Sequence, residues 1–284
     1  MEVIYNLSMM GSDCMALDEK LMNLKEILGG MDSVVVGFSG GVDSTFLLKI
    51  AKDVLKDKVI AVTASSSTFP QREMNEAISF AKQNNIKHMI VKSEELDIEG
   101  FSKNPKDRCF YCKKELFSKF IDIAKENGYK YVLDGSNTDD TKDYRPGMRA
   151  SKELGIRSPL LEANMSKEDI RMLSKKMNLP TWDKPSFACL SSRVPYGEEI
   201  TKQKLNMIED SEEFLLKLGF KQVRVRHHGD IARIEVAPKE REKLFNIEVM
   251  DKISDRLKEI GFKYVTLDLD GYRTGSMNEV LDRK

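Results

Sequence analysis

Residues 39–44, Ser-Gly-Gly-Val-Asp-Ser, follow the β-branched run Val34, Val35, Val36 and precede a helical pattern from about Ser44 to Leu55. A buried strand, a double-glycine turn and a helix start, in that order, belong to folds with parallel strands and crossover helices. Gly40 and Gly41 remove side chains where a backbone must come close to a phosphate. Exposed amides at a helix N-terminus favour an anion there, and the Ser39 and Ser44 hydroxyls add donors. Asp43 is placed either to cap the helix or to help hold Mg2+. The segment lacks the Gly-Lys-Ser/Thr ending of the common nucleotide triphosphatase loop and the spacing of a dinucleotide fingerprint.

The rest of the first part repeats the alternation. Leu17, Leu21, Leu24, Ile27 and Leu28 give a helix over 15–29, stopped by Gly29 and Gly30. Strands are expected at Val59–Thr63, Met89–Val91 and Tyr131–Leu133, with helices at Gln71–Gln83 and Lys113–Asn127. Two stretches, residues 92–112 and Pro180–Gly197, look irregular. Loops this long inside a compact domain are usually functional or mobile. The pattern then changes: a helix over 201–218, a hairpin of Gln222–Arg226 and Ile231–Val236 around His228-Gly229-Asp230, a helix near 248–260 and a strand Tyr264–Leu269. The expectation is an α/β parallel-sheet domain over residues 1–197 and a small α+β domain over 198–284.

Four cysteines in 284 residues make no disulfide scaffold. Cys109 and Cys112 form a C-x-x-C pair in the first irregular stretch, and Cys189 stands in the second, within Pro185-Ser-Phe-Ala-Cys-Leu-Ser-Ser-Arg193. A lone C-x-x-C serves zinc, iron–sulfur and redox chemistry alike. A redox pair wants a thioredoxin-like unit, and structural zinc wants four ligands. Three thiolates leave one iron of a 4Fe–4S cluster open. The bases Arg108, Lys113, Lys184 and Arg193 flank the cysteines and would favour thiolate. With 46 basic and 46 acidic residues, the chain has no net charge to draw in nucleic acid. No apolar run approaches a membrane span, and the N-terminus does not read as a signal peptide, which predicts a cytoplasmic protein.

The glycine loop resembles the SGGxDS loop of the ATP pyrophosphatase, or PP-loop, family. That resemblance implies an adenine-nucleotide alpha hydrolase-like fold that grips the pyrophosphate of ATP and adenylates a substrate oxygen. It implies ATP contacts at Ser39, Gly40, Gly41, Asp43 and Ser44, at Thr63 on the second strand, and at Gly135 and Asn137 in Asp134-Gly-Ser-Asn-Thr-Asp-Asp140. The loop, that segment, the PSFACLSSRVPYG segment and VRVRHHGDIARIEV occur in this order from about residue 15 to 280, and together they are similar to LarE-type sulfur transferases of nickel-pincer cofactor biosynthesis. Those enzymes adenylate a carboxylate of pyridinium-3,5-biscarboxylic acid mononucleotide and convert it to a thiocarboxylate. Cys189 matches the cysteine that in one type surrenders its own sulfur. In the other type it joins a C-x-x-C pair, here Cys109 and Cys112, on a 4Fe–4S cluster, and the presence of that pair favours the second type. Arg224 and Arg226 alternate on one strand face and match arginines that receive the substrate phosphate, with Glu235 and Arg193 as further candidates at that site. The implied set is ATP, Mg2+ and a 4Fe–4S cluster, catalytic Cys189 and Asp43, a small nucleotide substrate and a homo-oligomer, with neither nucleic acid nor membrane as partner. A PP-loop tRNA thiolase with a cluster is the competing expectation, and zero net charge speaks mildly against it.

Overall fold

The computed structural model describes residues 2–142, 146–185, 188–273 and 275–276, which divide into two compact units. The first comprises Met1–Ser65, Gln71–Lys92 and Lys113–Ser186. Its sheet has four parallel strands, β1 (Val34–Gly37), β2 (Val59–Ser65), β3 (Lys87–Lys92) and β4 (Tyr131–Leu133), in the order β3-β2-β1-β4. The β-branched run is buried on both faces because successive side chains alternate. Val34 and Val36 pack with α1 (Glu2–Gly29) and α2 (Val42–Leu55), whereas Val35 packs with Phe117, Phe120 and Ile123 of α4 (Arg108–Glu126). Between them in sequence lies α3 (Gln71–Gln83), and after β4 come α5 (Pro146–Glu153), α6 (Pro159–Glu162) and α7 (Lys167–Lys176).

The second unit gathers Ser66–Pro70, Ser93–Cys112 and Phe187–Lys284, so it takes segments from both sides of the boundary expected after Gly197. The reason is a shared apolar cluster: Phe101, from the first irregular stretch, packs with Leu190, Val194, Ile200, Leu205 and Ile208. The unit holds α8 (Lys202–Lys217), α9 (Ile247–Ile260) and a sheet of β5 (Val223–His228), β6 (Ile231–Val236) and β7 (Tyr264–Leu267). β5 and β6 form the expected antiparallel hairpin, and β7 runs parallel to β6.

Three sequence expectations change. α1 begins at Glu2 rather than near residue 15; Gly11 lowers helix propensity by about 1 kcal/mol without ending the helix. α4 begins at Arg108 rather than Lys113, so Cys109 and Cys112 lie in its first two turns instead of an irregular loop. The helices α5 to α7 were not signalled by apolar periodicity, although Ser166 and Asp169 form a reciprocal capping box at the start of α7. No described helix is long and apolar enough to cross a membrane.

Candidate active site

In the first unit, the glycine loop joins the end of β1 to the first turn of α2. Gly40 has φ +68, a left-handed conformation that costs a residue with Cβ about 1–2 kcal/mol. Gly41 is the N-cap of α2 and supplies no side-chain cap, which leaves the first amides of the helix for an anion. The loop is closed by its serines: Ser39 Oγ lies 3.1 Å from Ser44 Oγ, and Ser44 Oγ donates to the Gly41 carbonyl at 3.3 Å. Thr63 roots the loop from below. Its hydroxyl donates to the Phe38 carbonyl at 2.6 Å and lies 2.8 Å from His88 Nε2. Because the Thr63 proton goes to Phe38, His88 donates through Nε2, and burial holds its pKa below the ordinary value.

Gly135 follows β4 and lies against the start of α2. A Cβ there would meet the Ser44 amide nitrogen at 3.2 Å. Gly135→Val is therefore expected to overpack the loop by about 1–3 kcal/mol. If the nucleotide site bears that strain, the ATP Kd rises roughly tenfold or more. Calorimetric titration with ATP checks it, and an unchanged Kd would remove Gly135 from the site. Asn137 is buried and uses its side-chain oxygen to accept from the Asp139 amide at 3.0 Å, closing a local turn. Two cations converge on the loop. Lys167 Nζ contacts Asp43 Oδ2 while its backbone amide donates to Asp139 Oδ2 at 2.8 Å. Lys184 Nζ donates to the Gly40 carbonyl at 3.0 Å and pairs with Glu73 at 2.7 Å. The charge of Lys184 is thus engaged by the loop and its carboxylate neighbours. Asp43 Oδ1 is buried without a hydrogen-bond partner, an oxygen suited to a hard cation such as Mg2+.

In the second unit, the two cysteine segments are stapled by Asn104. Its Nδ2 donates to the carbonyls of Val194 at 3.0 Å and Pro195 at 2.6 Å, and its backbone carbonyl accepts from the Gly197 amide at 3.0 Å. Arg108 donates to Asn104 Oδ1 at 2.7 Å and lies over the Tyr196 ring. Cys109 and Cys112 sit one turn apart on α4, three residues being the spacing that puts side chains on one helix face. Cys112 Sγ lies 3.8 Å from Glu95 Oε1, and burial raises the pKa of Glu95 against the hydrogen bonds from Ser66 and Thr68. Thr68 also supplies the carbonyl that accepts from the Leu190 amide at 2.9 Å, next to Cys189. All three cysteines are free thiols and half-buried. Among the described residues, no three His, Cys, Asp or Glu side chains form a group that could hold a metal ion. A single ion needs donors at about 2.3 Å from one centre, whereas the three thiolates of a cluster each bind a different iron.

The arginines expected to meet a phosphate are buried with β5. Arg193 has no exposure and forms a fork–fork pair with Glu212, both contacts at 2.8 Å. Arg226 pairs in the same way with Glu235, at 2.8 Å twice. Arg224 lies over the Tyr272 ring, and burial, together with the like charge of Arg193, pushes its pKa down to about 10. Burial opposes the charges of Arg193 and Glu212, yet their attraction prevails, raising the pKa of the guanidinium and lowering that of the carboxyl. Sequence inspection passed over Glu212. Its signal was an acidic residue at helical spacing within the apolar stripe Leu205, Ile208, Leu215 of α8.

A family model described as NAD synthase matches residues 19–127. Over 268 residues, covering 94% of this chain and 96% of the relative, the sequence is 41% identical to the pyridinium-3,5-bisthiocarboxylic acid mononucleotide synthase of Lactiplantibacillus plantarum. It is 43% identical over 267 residues to an uncharacterised protein of Synechocystis, covering 94% of this chain and all of the other. One component of the glutamine-hydrolysing GMP synthase of Sulfurisphaera tokodaii is 25% identical over 209 residues, 68% of this chain and 55% of that one.

Proposed function

This chain belongs to the LarE-type family of PP-loop sulfur transferases, and from that membership we propose that it uses ATP to adenylate a carboxylate of pyridinium-3,5-biscarboxylic acid mononucleotide and converts it to a thiocarboxylate for a nickel-pincer cofactor. A carboxylate oxygen attacks the α-phosphorus of ATP, the bond to the β-phosphate oxygen breaks, and pyrophosphate leaves. The acyl–AMP carbonyl is then open to sulfur, and AMP departs with the carboxylate oxygen. The observation that carries the adenylation half is the Ser39–Ser44 loop, left-handed at Gly40 and with no side-chain cap at Gly41. Those amides and hydroxyls hold the leaving pyrophosphate. Asp43 would hold Mg2+ through its unpartnered Oδ1, and the ion would neutralise charge developing on the leaving group. Lys167 and Lys184 supply positive charge at the same loop.

Cys109, Cys112 and Cys189 would hold a 4Fe–4S cluster. When bound, it would supply a sulfur atom that the protein need not take from its own cysteine. The three free thiols in one unit and the staple between their segments support this route. Arg224, whose guanidinium lies over the Tyr272 ring, stays with Arg226 and Glu235 as a candidate for the substrate phosphate.

The test is anaerobic reconstitution of the protein and its Cys109→Ala variant, followed by iron and acid-labile sulfide assays. About four irons and four sulfides per chain, lost in the variant, are expected. Iron absent from both proteins would end the cluster route and leave Cys189 as the sulfur donor, identifiable by conversion of that residue to dehydroalanine after one turnover.

A further inference from the structure

A buried arginine–glutamate pair is weak support for stability, because desolvation offsets much of the attraction and a well-packed apolar pair often serves as well. Its presence at Arg193 and Glu212 therefore calls for something an apolar pair could not do. Two nitrogens of the Arg193 guanidinium, Nε and Nη2, go to Glu212. The third nitrogen, Nη1, donates to the carbonyls of Ala188 at 2.5 Å and Cys189 at 3.0 Å, and lies 3.1 Å from Ser192 Oγ. Glu212 in turn accepts from the Val225 amide of β5 at 3.0 Å, so α8, β5 and the turn after Cys189 share one carboxylate. The neighbouring pair reaches the same turn: Arg226 Nη1 donates to the Ser192 carbonyl at 2.8 Å. Downstream of Cys189, Leu190, Ser191 and Arg193 are all buried, whereas Ala188 is exposed and Cys189 half-exposed. The thiol thus stands at an accessible edge while the carbonyl of its own residue is anchored.

We propose that Arg193 is a positioning residue for Cys189, with Glu212 holding the guanidinium so that its free edge fixes the cysteine backbone and aims the sulfur. The proposal rests on the sulfur-handling role of Cys189 and applies whether the sulfur comes from a cluster or from the cysteine itself. It replaces the expectation that Arg193 receives a substrate phosphate.

Glu212→Gln tests it, since Glu212 belongs to the second unit and the glycine loop to the first. Sulfur transfer is expected to fall about 10²-fold, the loss a misplacement of about 1 Å can bring. The first-turnover burst of pyrophosphate should keep its dependence on substrate concentration. Cys189 should alkylate faster with iodoacetamide, relative to Cys109 and Cys112 in the same digest. A burst that shifts to higher substrate concentration in step with the loss of transfer would overturn the proposal in favour of a phosphate contact. Wild-type transfer would overturn it outright. Should Glu212→Gln not fold, the double variant Arg193→Met with Glu212→Leu removes both buried charges, and a thermal melt verifies its fold. Slow transfer with fast Cys189 alkylation in that variant supports the proposal; restored transfer reduces the pair to packing. Cys189→Ser, run alongside, separates the two failures. Full sulfur transfer in it defeats the role of Cys189, whereas a dead Cys189→Ser beside a wild-type Glu212→Gln defeats the positioning alone.

Discussion

Cys189→Ser is expected to lower sulfur transfer roughly 10⁴-fold or more, the scale of losing a reacting group. A hydroxyl neither ligates iron as a thiolate does nor surrenders sulfur, so both sulfur routes fail together at this residue. The proposed adenylation half is the glycine loop of the other unit, and residues 39–44 of that loop contain no cysteine. Pyrophosphate should therefore appear as a single burst of about one equivalent per chain and then stop, because acyl–AMP accumulates with nothing to attack it. Rapid-quench measurement of pyrophosphate and thiocarboxylate from the same samples reads both halves. Undiminished thiocarboxylate would remove Cys189 from sulfur delivery. A missing burst would place the cysteine in the adenylation step instead.

The two halves were unequally legible in the sequence. The glycine loop is local: six consecutive residues between a strand and a helix carry its chemistry, and the structure places Gly135 against the same helix start. Its cations were less visible, because Lys167 and Lys184 reach Asp43 and Gly40 across more than a hundred residues. The second half is a tertiary construction. Arg224 and Arg226 were expected to share one strand face at the substrate phosphate, with Arg193 and Glu235 as further candidates, but alternation along β5 says which face a side chain takes and not who shares it. Glu212 and Asn104 settle the partners, and nothing near them in sequence names Arg193 or Val194. The apolar cluster around Phe101 likewise joins residues on either side of a linear boundary, which composition shifts along a chain cannot reveal.

Glu235→Ala is expected to be the most destabilising of the single changes considered, at about 3–5 kcal/mol, the cost of stranding one member of a buried ion pair. Glu235 is 1% exposed and accepts from Arg226 Nε and Nη2 at 2.8 Å each and from Arg233 Nη2 at 3.1 Å. Removing it leaves the buried Arg226 without its carboxylate, directly beside Arg224, whose pKa burial already depresses. Against a typical domain stability of about 5–15 kcal/mol, the loss is large enough to unfold a small unit near physiological temperature. Glu235→Gln should cost less, because an amide oxygen still accepts one hydrogen bond. Arg226→Met with Glu235→Leu should recover most of the stability, because neither member of this buried pair is left stranded. Urea titration followed by far-UV circular dichroism measures all three. Fluorescence of Trp182, the single tryptophan and a member of the first unit, tests whether both units share one transition. A loss below about 1 kcal/mol for Glu235→Ala would mean that Arg226 finds water or another anion when the carboxylate is gone. That outcome would turn the pair from a buried support of the Ser192 turn into an accessible anion site, and would favour Arg226 as a phosphate contact.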